Sequence, residues 1–215
     1  MSAVAKNLPA WVSDLALLRD RHITRDEAQE LHSRGETATD NEVTRWWPLD
    51  SGSALGESLA SYGSGTKLCL LGTANEAFAT QLAAAGWQLT ERQVLLAATA
   101  DDVEQSVALP DTATLFDAPL DDYDVLEITD FDEPVARGRI RFGDGFALLS
   151  DPVITATKNT KIFRHAILAN LAASATRQGL AWLFMVTPAD NTAGTRTQRG
   201  AGWSNATLIT SYTRR

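Results

Sequence analysis

Lys161-Ile162-Phe163-Arg164-His165-Ala166-Ile167-Leu168-Ala169-Asn170-Leu171-Ala172-Ala173-Ser174-Ala175-Thr176-Arg177-Gln178-Gly179-Leu180-Ala181-Trp182-Leu183-Phe184-Met185-Val186 is the stretch that decides the fold. Ile162, Phe163, Ala166, Ile167, Ala169, Leu171 and Ala173 recur at helical spacing and give one apolar face to a helix over 161–178. Gly179 follows in the C-cap position, where a left-handed residue ends the helix without a Cβ penalty. Trp182 to Val186 then runs apolar without alternation, which predicts a strand covered on both faces. Upstream, Tyr123 to Ile128 and Val135 to Phe142 read as strands, and Gly143-Asp144-Gly145 is a hairpin turn into Phe146-Ala147-Leu148-Leu149. Strand, helix and buried strand in that order imply a right-handed parallel crossover. Ala206 to Tyr212 alternates and predicts a closing antiparallel strand. The fold class is α/β, in an α+β arrangement: a mixed sheet flanked by helices.

A similar unit lies nearer the N-terminus. Leu68 to Leu71 reads as a buried strand, Asn75 to Ala85 as a helix, Gly86-Trp87 as a turn and Val94 to Leu96 as the next strand. Leu68–Trp87 aligns without gaps to Phe184–Trp203, sharing an apolar strand, then Asn75 or Asn191, then Gly-Trp eleven residues later. Ahead of it, Leu8 to Leu18 predicts one surface helix, and Thr24-Arg25-Asp26-Glu27 is a capping box that predicts a second, through Ala28 and Leu31 to Gly35. From there to Ser64 the sequence is polar and poorly periodic, broken by Trp46-Trp47. The acidic stretch around Pro110 and Pro119 predicts a linker, so the expected division is 1–108 and 109–215.

Composition narrows the function classes. The net charge of −8 argues against a nucleic-acid binder, which carries basic surface to displace phosphate counterions. No segment approaches the roughly 20 apolar residues of a membrane span, and the first nine residues have no export signal, so a soluble cytoplasmic protein is expected. The charge is uneven. Residues 101–133 hold twelve acids and no Lys or Arg, whereas 134–215 hold eleven Lys or Arg against Asp144, Asp151 and Asp190, a net +8. That is either an uneven solvated surface or a face that meets a small polyanion. Cys69, the single cysteine, sits in an apolar run and reads as a buried inert thiol; His22, His32 and His165 have no metal-ligand spacing.

The order strand, loop, long helix, buried strand, Asn191 and Gly202-Trp203 resembles the GNAT superfamily of N-acetyltransferases, whose last module reads Asn-x-x-Ala-x-x-x-Tyr-x-x-x-Gly-Phe. Thr155-Ala156-Thr157-Lys158-Asn159-Thr160-Lys161-Ile162-Phe163-Arg164-His165-Ala166-Ile167-Leu168 resembles that family's post-strand loop and helix. The resemblance covers roughly 120–215, and the first half looks like part of another such module, as in tandem or one-and-a-half GNAT proteins.

The resemblance implies acetyl-CoA as cofactor, a small-molecule or peptide amine as acceptor, and a diphosphate held by backbone amides at a helix N-terminus. It places the cofactor against Val153, Ile154 and Thr155, then Lys158, Asn159, Thr160, Lys161, Ile162, Phe163 and Arg164, with Asn191 beyond. The family's loop reads Arg or Gln, two residues, Gly, one residue, Gly or Ala; here those places hold Asn159, Ile162 and Arg164. Either the amides of 160–164 still hold the phosphates, with Lys158, Lys161 and Arg164 adding charge, or Ile162 and Arg164 fill the space. Gln198 stands where the family has its proton-donating Tyr, and Glu127 or Asp151 is the candidate base. Those replacements leave a competing expectation, a GNAT-fold module that binds a ligand without catalysis.

Overall fold

The structure is a computed structural model that describes residues 8–25, 31–35, 42–48, 55, 59–72, 75–190 and 201–214, without the Arg25 side chain. It is α/β, as expected, and divides into two compact units that interleave in sequence. One comprises Met1–Val94, Pro188–Asp190 and Thr207–Arg215, the other Leu95–Thr187 and Asn191–Ala206. The expected boundary at 108–109 therefore falls inside the second unit.

The N-terminal unit opens with α1 (Trp11–Leu18), followed by β1 (Arg21–Arg25), β2 (Leu31–Gly35), β3 (Val43–Pro48), β4 (Thr66–Leu71), α2 (Glu76–Ala84) and β5 (Trp87–Thr99). Its strand order is β1-β2-β3-β4-β12, where β12 is Ser204–Arg214. The capping box at Thr24 does not open a helix. Arg21–Arg25 and Leu31–Gly35 pair as an antiparallel ladder with Arg25 opposite Leu31, while Asp26, Glu27 and Ala28 lie outside the described residues. Tertiary pairing overrides the local helix signal here, because β2 also pairs with β3 and buries Leu31 and Ser33 beneath it. The poorly periodic stretch holds β3, whose Thr44, Trp46 and Trp47 are buried. The unit's core gathers Trp47, Leu59, Tyr62, Leu68, Leu70, Leu82 and Trp87, and the Trp47 indole donates to the Tyr62 hydroxyl at 3.1 Å.

The C-terminal unit contains β6 (Ala113–Pro119), β7 (Asp124–Asp130), β8 (Glu133–Phe142), β9 (Phe146–Leu149), β10 (Val153–Ile154), α3 (Thr160–Arg177) and β11 (Trp182–Pro188). Its order is β5-β11-β9-β8-β7-β6, with β10 pairing β8 off this path. The acidic stretch expected to be a linker is partly the strand β6, paired along its length with β7 and exposed except at Ala113 and Leu115. Pro119 closes it at the end, where a missing N–H costs the ladder nothing. The crossover β9-α3-β11 is parallel, with Trp182 opposite Phe146 and Met185 opposite Leu149. Helix α3 buries Phe163, Ala166, Ile167, Leu171 and Ala175 and ends where predicted: Gly179 has φ 72°, its N–H bonds Thr176 O at 2.9 Å, and Leu180 N–H bonds Ala175 O at 3.1 Å. Among the described residues no helix is long and apolar enough to cross a membrane.

Gly138 lets α3 lie close on β8. A Cβ there would run into Ile167 Cγ2 and stand 3.0 Å from Leu171 Cδ1. Gly138→Ala is expected to lower stability by about 1–3 kcal/mol through overpacking, read as a fall in the urea midpoint at unchanged m-value.

Candidate functional site

The sheet of the C-terminal unit is interrupted after β9. Strand β9 pairs β8 from Phe142↔Ala147 to Ile140↔Leu149, and Ser150 continues it: its N–H donates to Arg139 O, and its Oγ accepts from the Arg139 N–H, both at 2.9 Å. Strand β10 resumes with Val153 opposite Arg137 and Ile154 opposite Ala136. The register has gained one residue, so Asp151 and Pro152 together stand against Gly138 as a β-bulge. The ladder between β9 and β11 stops at Leu149 and Met185, and β10 pairs with β8 and not with β11. Among the described residues, two strand edges are left unjoined beyond Met185.

Backbone polarity on that edge follows from the ladder. Thr155 N–H bonds Val135 O at 3.0 Å, and in an antiparallel pair alternate residues face the partner. Val153 and Thr155 therefore face β8, while the N–H and C=O of Ile154 point to the unjoined side. The Val153 side chain is 63% exposed, and the Thr155 hydroxyl donates to Pro134 O at 3.0 Å.

Helix α3 begins beside this edge in sequence. Asn159 takes a left-handed conformation, φ 56°, and its side chain makes no capping bond. Its carbonyl accepts from Phe163 N–H at 3.0 Å, which is the first intrahelical bond, so the amides of Thr160, Lys161 and Ile162 have no partner within the helix. No acidic residue occupies the first turn. Lys158 and Lys161 are exposed and have no ion-pair partner among the described residues, so the positive end of the helix dipole is reinforced rather than compensated. Phe163 is fully buried, whereas Ile162 is 40% exposed. Arg164 turns to the bulge: its guanidinium pairs with Asp151 Oδ1 and donates to Pro152 O at 3.4 Å. The Thr187 hydroxyl, fully buried on β11, donates to Asp151 Oδ2 at 3.4 Å. Arg164 is thus committed to Asp151.

The candidate carboxylates occupy different places. Asp151 is in the bulge, with both oxygens engaged. Glu127 is on β7, opposite Arg137, which is itself opposite Val153; the three share one face of the sheet across three strands. Asn191 and Gln198 lie outside the described residues. Two contributors escaped the sequence reading, Thr187 and Gly138. For Gly138 the signal was present, since a glycine inside a strand pattern marks a bulge or a close approach. Nothing in the sequence points to Thr187.

No family model matches this sequence, and no curated protein matches it. Solved structures do. A GCN5-related N-acetyltransferase from Kribbella flavida superposes over 98% of this chain and 95% of its own with TM-score 0.64 at 14% identity. A GCN5-related N-acetyltransferase from Sphaerobacter thermophilus covers 85% of this chain and 75% of its own, with TM-score 0.62 at 12% identity. A tandem GNAT protein from the clavulanic acid biosynthesis pathway covers 95% and 87%, with TM-score 0.60 at 11% identity. The fold is that of the GNAT acetyltransferases. The two similar stretches share local geometry: Gly86 and Gly202 have a left-handed backbone, φ 83° and 90°, and Trp87 and Trp203 are both buried. In the first stretch the Asn of the shared pattern caps its helix, Asn75 Oδ1 accepting from Phe78 N–H at 2.8 Å.

The link from Arg164 through Asp151 to Thr187 holds the bulge of this GNAT fold in place. Asp151→Ala leaves a half-buried guanidinium unpaired, and a loss of about 1–3 kcal/mol is expected by chemical denaturation. Adding Arg164→Met should cost less than the sum of the two single changes; full additivity would show that the residues act independently.

Proposed function

We propose that the chain is a cytoplasmic N-acetyltransferase that uses acetyl-CoA to acetylate an amine of a small molecule or peptide. The observation that supports this most is the pairing of an unjoined strand edge at Ile154 with an uncapped, cation-flanked helix N-terminus a few residues later. A ligand with a diphosphate at one distance and an amide-bearing arm at another fits that pair of features. The amides of Thr160, Lys161 and Ile162 would hold the diphosphate, and the left-handed Asn159 turns the backbone there without the glycines this loop usually carries. Lys158 and Lys161 would add charge. Ile154 would exchange backbone bonds with the pantetheine amides, between Val153 and Thr155, while buried Phe163 and the Arg164 pair anchor the turn from beneath. Asn191 belongs to this reading through its place in the sequence pattern.

Acetyl-CoA supplies an acetyl group activated as a thioester when bound. Glu127 and Asp151 are the carboxylates proposed to take the proton of the acceptor amine as its nitrogen attacks. Gln198 can donate a hydrogen bond to the departing sulfur but has no net proton to give, so that proton comes from solvent. The same replacement favours the second reading, a GNAT-fold module that binds without turnover.

Calorimetry is expected to show acetyl-CoA binding, and thiol release should appear with members of a broad amine panel. Ile154→Pro removes the one strand amide facing the unjoined edge and none facing β8, so it should weaken binding by about tenfold while the fold persists. Lys158→Ala with Lys161→Ala should weaken it similarly and flatten its salt dependence. Absence of binding would end both readings; binding without thiol release for every amine would favour the second.

A further inference from the structure

The N-terminal unit holds a separate cavity of about 140 Å³, walled by Arg19, Arg21, Lys67, Trp46, Cys69 and Ser211, with Glu42 and Gln93 also on its surface. Most of its polar groups are already satisfied. Arg21 donates to Ser33 Oγ at 3.3 Å and to the Glu42 carbonyl at 2.7 Å, Lys67 pairs with Glu91 at 3.0 Å, and the Cys69 thiol meets Ser211 Oγ at 3.3 Å. Two groups are not. Arg19 has no hydrogen-bond or ion-pair partner among the described residues, and the Trp46 indole N–H is buried without an acceptor although the residue is only 3% exposed. Arg19 is an exposed residue; protein crowding its guanidinium and the nearby Arg21 pull its pKa down, against the opposing pull of Cys69 and Glu91. A guanidinium stays protonated even so, and this one has no hydrogen-bonded counter-charge on the cavity wall. Both unsatisfied groups are donors, so what the cavity lacks is an acceptor carrying negative charge.

Size and charge then select the ligand. A cavity of about 150 Å³ holds a molecule the size of benzene, which excludes a nucleotide or CoA and admits an anion of roughly six heavy atoms. One guanidinium is uncompensated, and Glu42 shares the wall, which disfavours a dianion. We propose that this cavity is a binding site for a small monocarboxylate, with Arg19 supplying the charge and the Trp46 indole N–H a further donor, beside the apolar surface of Ala16 and the Trp46 ring. Nothing in this assignment depends on the acetyltransferase reading, since all the wall residues belong to the N-terminal unit.

The test is calorimetric titration of the full chain with acetate, propionate and pyruvate, and separately with inorganic phosphate. One carboxylate is expected to bind at a single site with a millimolar Kd. Arg19→Met should weaken it by about tenfold or more, Arg19→Lys should restore part of the loss, and Arg177→Met on α3 should leave it unchanged. Should Arg19→Met fail to fold, Trp46→Phe, which keeps an aromatic ring and removes the N–H, is expected to weaken binding several-fold. The assignment is overturned if no carboxylate saturates by about 50 mM, if phosphate binds more tightly than every carboxylate, or if a folded Arg19→Met variant binds like the parent.

Discussion

One extra residue in a strand organises the C-terminal unit. Without it, the segment after Leu149 would continue the ladder beside β11, and the sheet would close over the place where a ligand could enter. Because Asp151 and Pro152 both stand against Gly138, the strand bends there and resumes on β8 alone. Pro152 suits the position, since it has no N–H to offer a ladder. Gly138 suits it from the other side, where a side chain would push against Ile167 and Leu171 on α3. The bulge and the close seating of the helix are therefore two demands met by one glycine.

Past the bulge, electrostatics matters more than packing. Helix α3 starts with three amides that lack acceptors within the helix, no acid in its first turn, and lysines on either side of its first residue. Such an end is unfavourable alone, because cations oppose the positive pole of the helix dipole. Arg164 has its charge met locally by Asp151, and the neighbouring His165 Nε2 lies 3.0 Å from Glu104 Oε2. The charge of Lys158 and Lys161 stays at the helix end without an acid in the first turn to offset it. The left-handed Asn159 takes a backbone conformation that glycine adopts more readily.

The elements with strong periodicity were legible in the sequence: α3, its Gly179 cap, β11 and the hairpin at Gly143-Asp144-Gly145 all stand where their residues predict. The failures share a cause. Leu31 to Gly35 carries a helix-like local pattern, yet β3 offers it a ladder and a buried neighbour, and pairing outweighs capping. The same dependence hid β6, whose charges and terminal prolines read as a linker because an edge strand needs few apolar residues. At the site, apolar spacing marked a helix start near Lys161, and the helix begins at Thr160; the loop residues 158–164 were singled out only by the family resemblance. The tie between Arg164, Asp151 and Thr187 was not legible, since 36 residues separate its last two members and only the fold joins them.

The N-terminal unit takes a strand from far along the sequence, which constrains how the chain can fold. Thr207–Arg215 belongs to the N-terminal unit, where Ile209↔Leu71 to Thr213↔Lys67 join β12 to β4. Cys69 and Ser211, 142 residues apart, touch in that ladder, and Arg214 donates to the carbonyls of Leu59, Ala60 and Tyr62. Closing so long a loop has an entropic cost that local contacts must first offset. The first ninety-four residues therefore cannot complete their sheet until the last strand of the chain has been made. Local pairing of β1 with β2, and of β3 with β4, can precede it, because these need only short connections. The final strand then buries Tyr212 among Trp47, Leu68 and Trp87, and the unit gains its full core only at that step. The N-terminal unit thus depends on a long-range pairing for its full core, whereas the parallel β9-α3-β11 crossover is local in sequence.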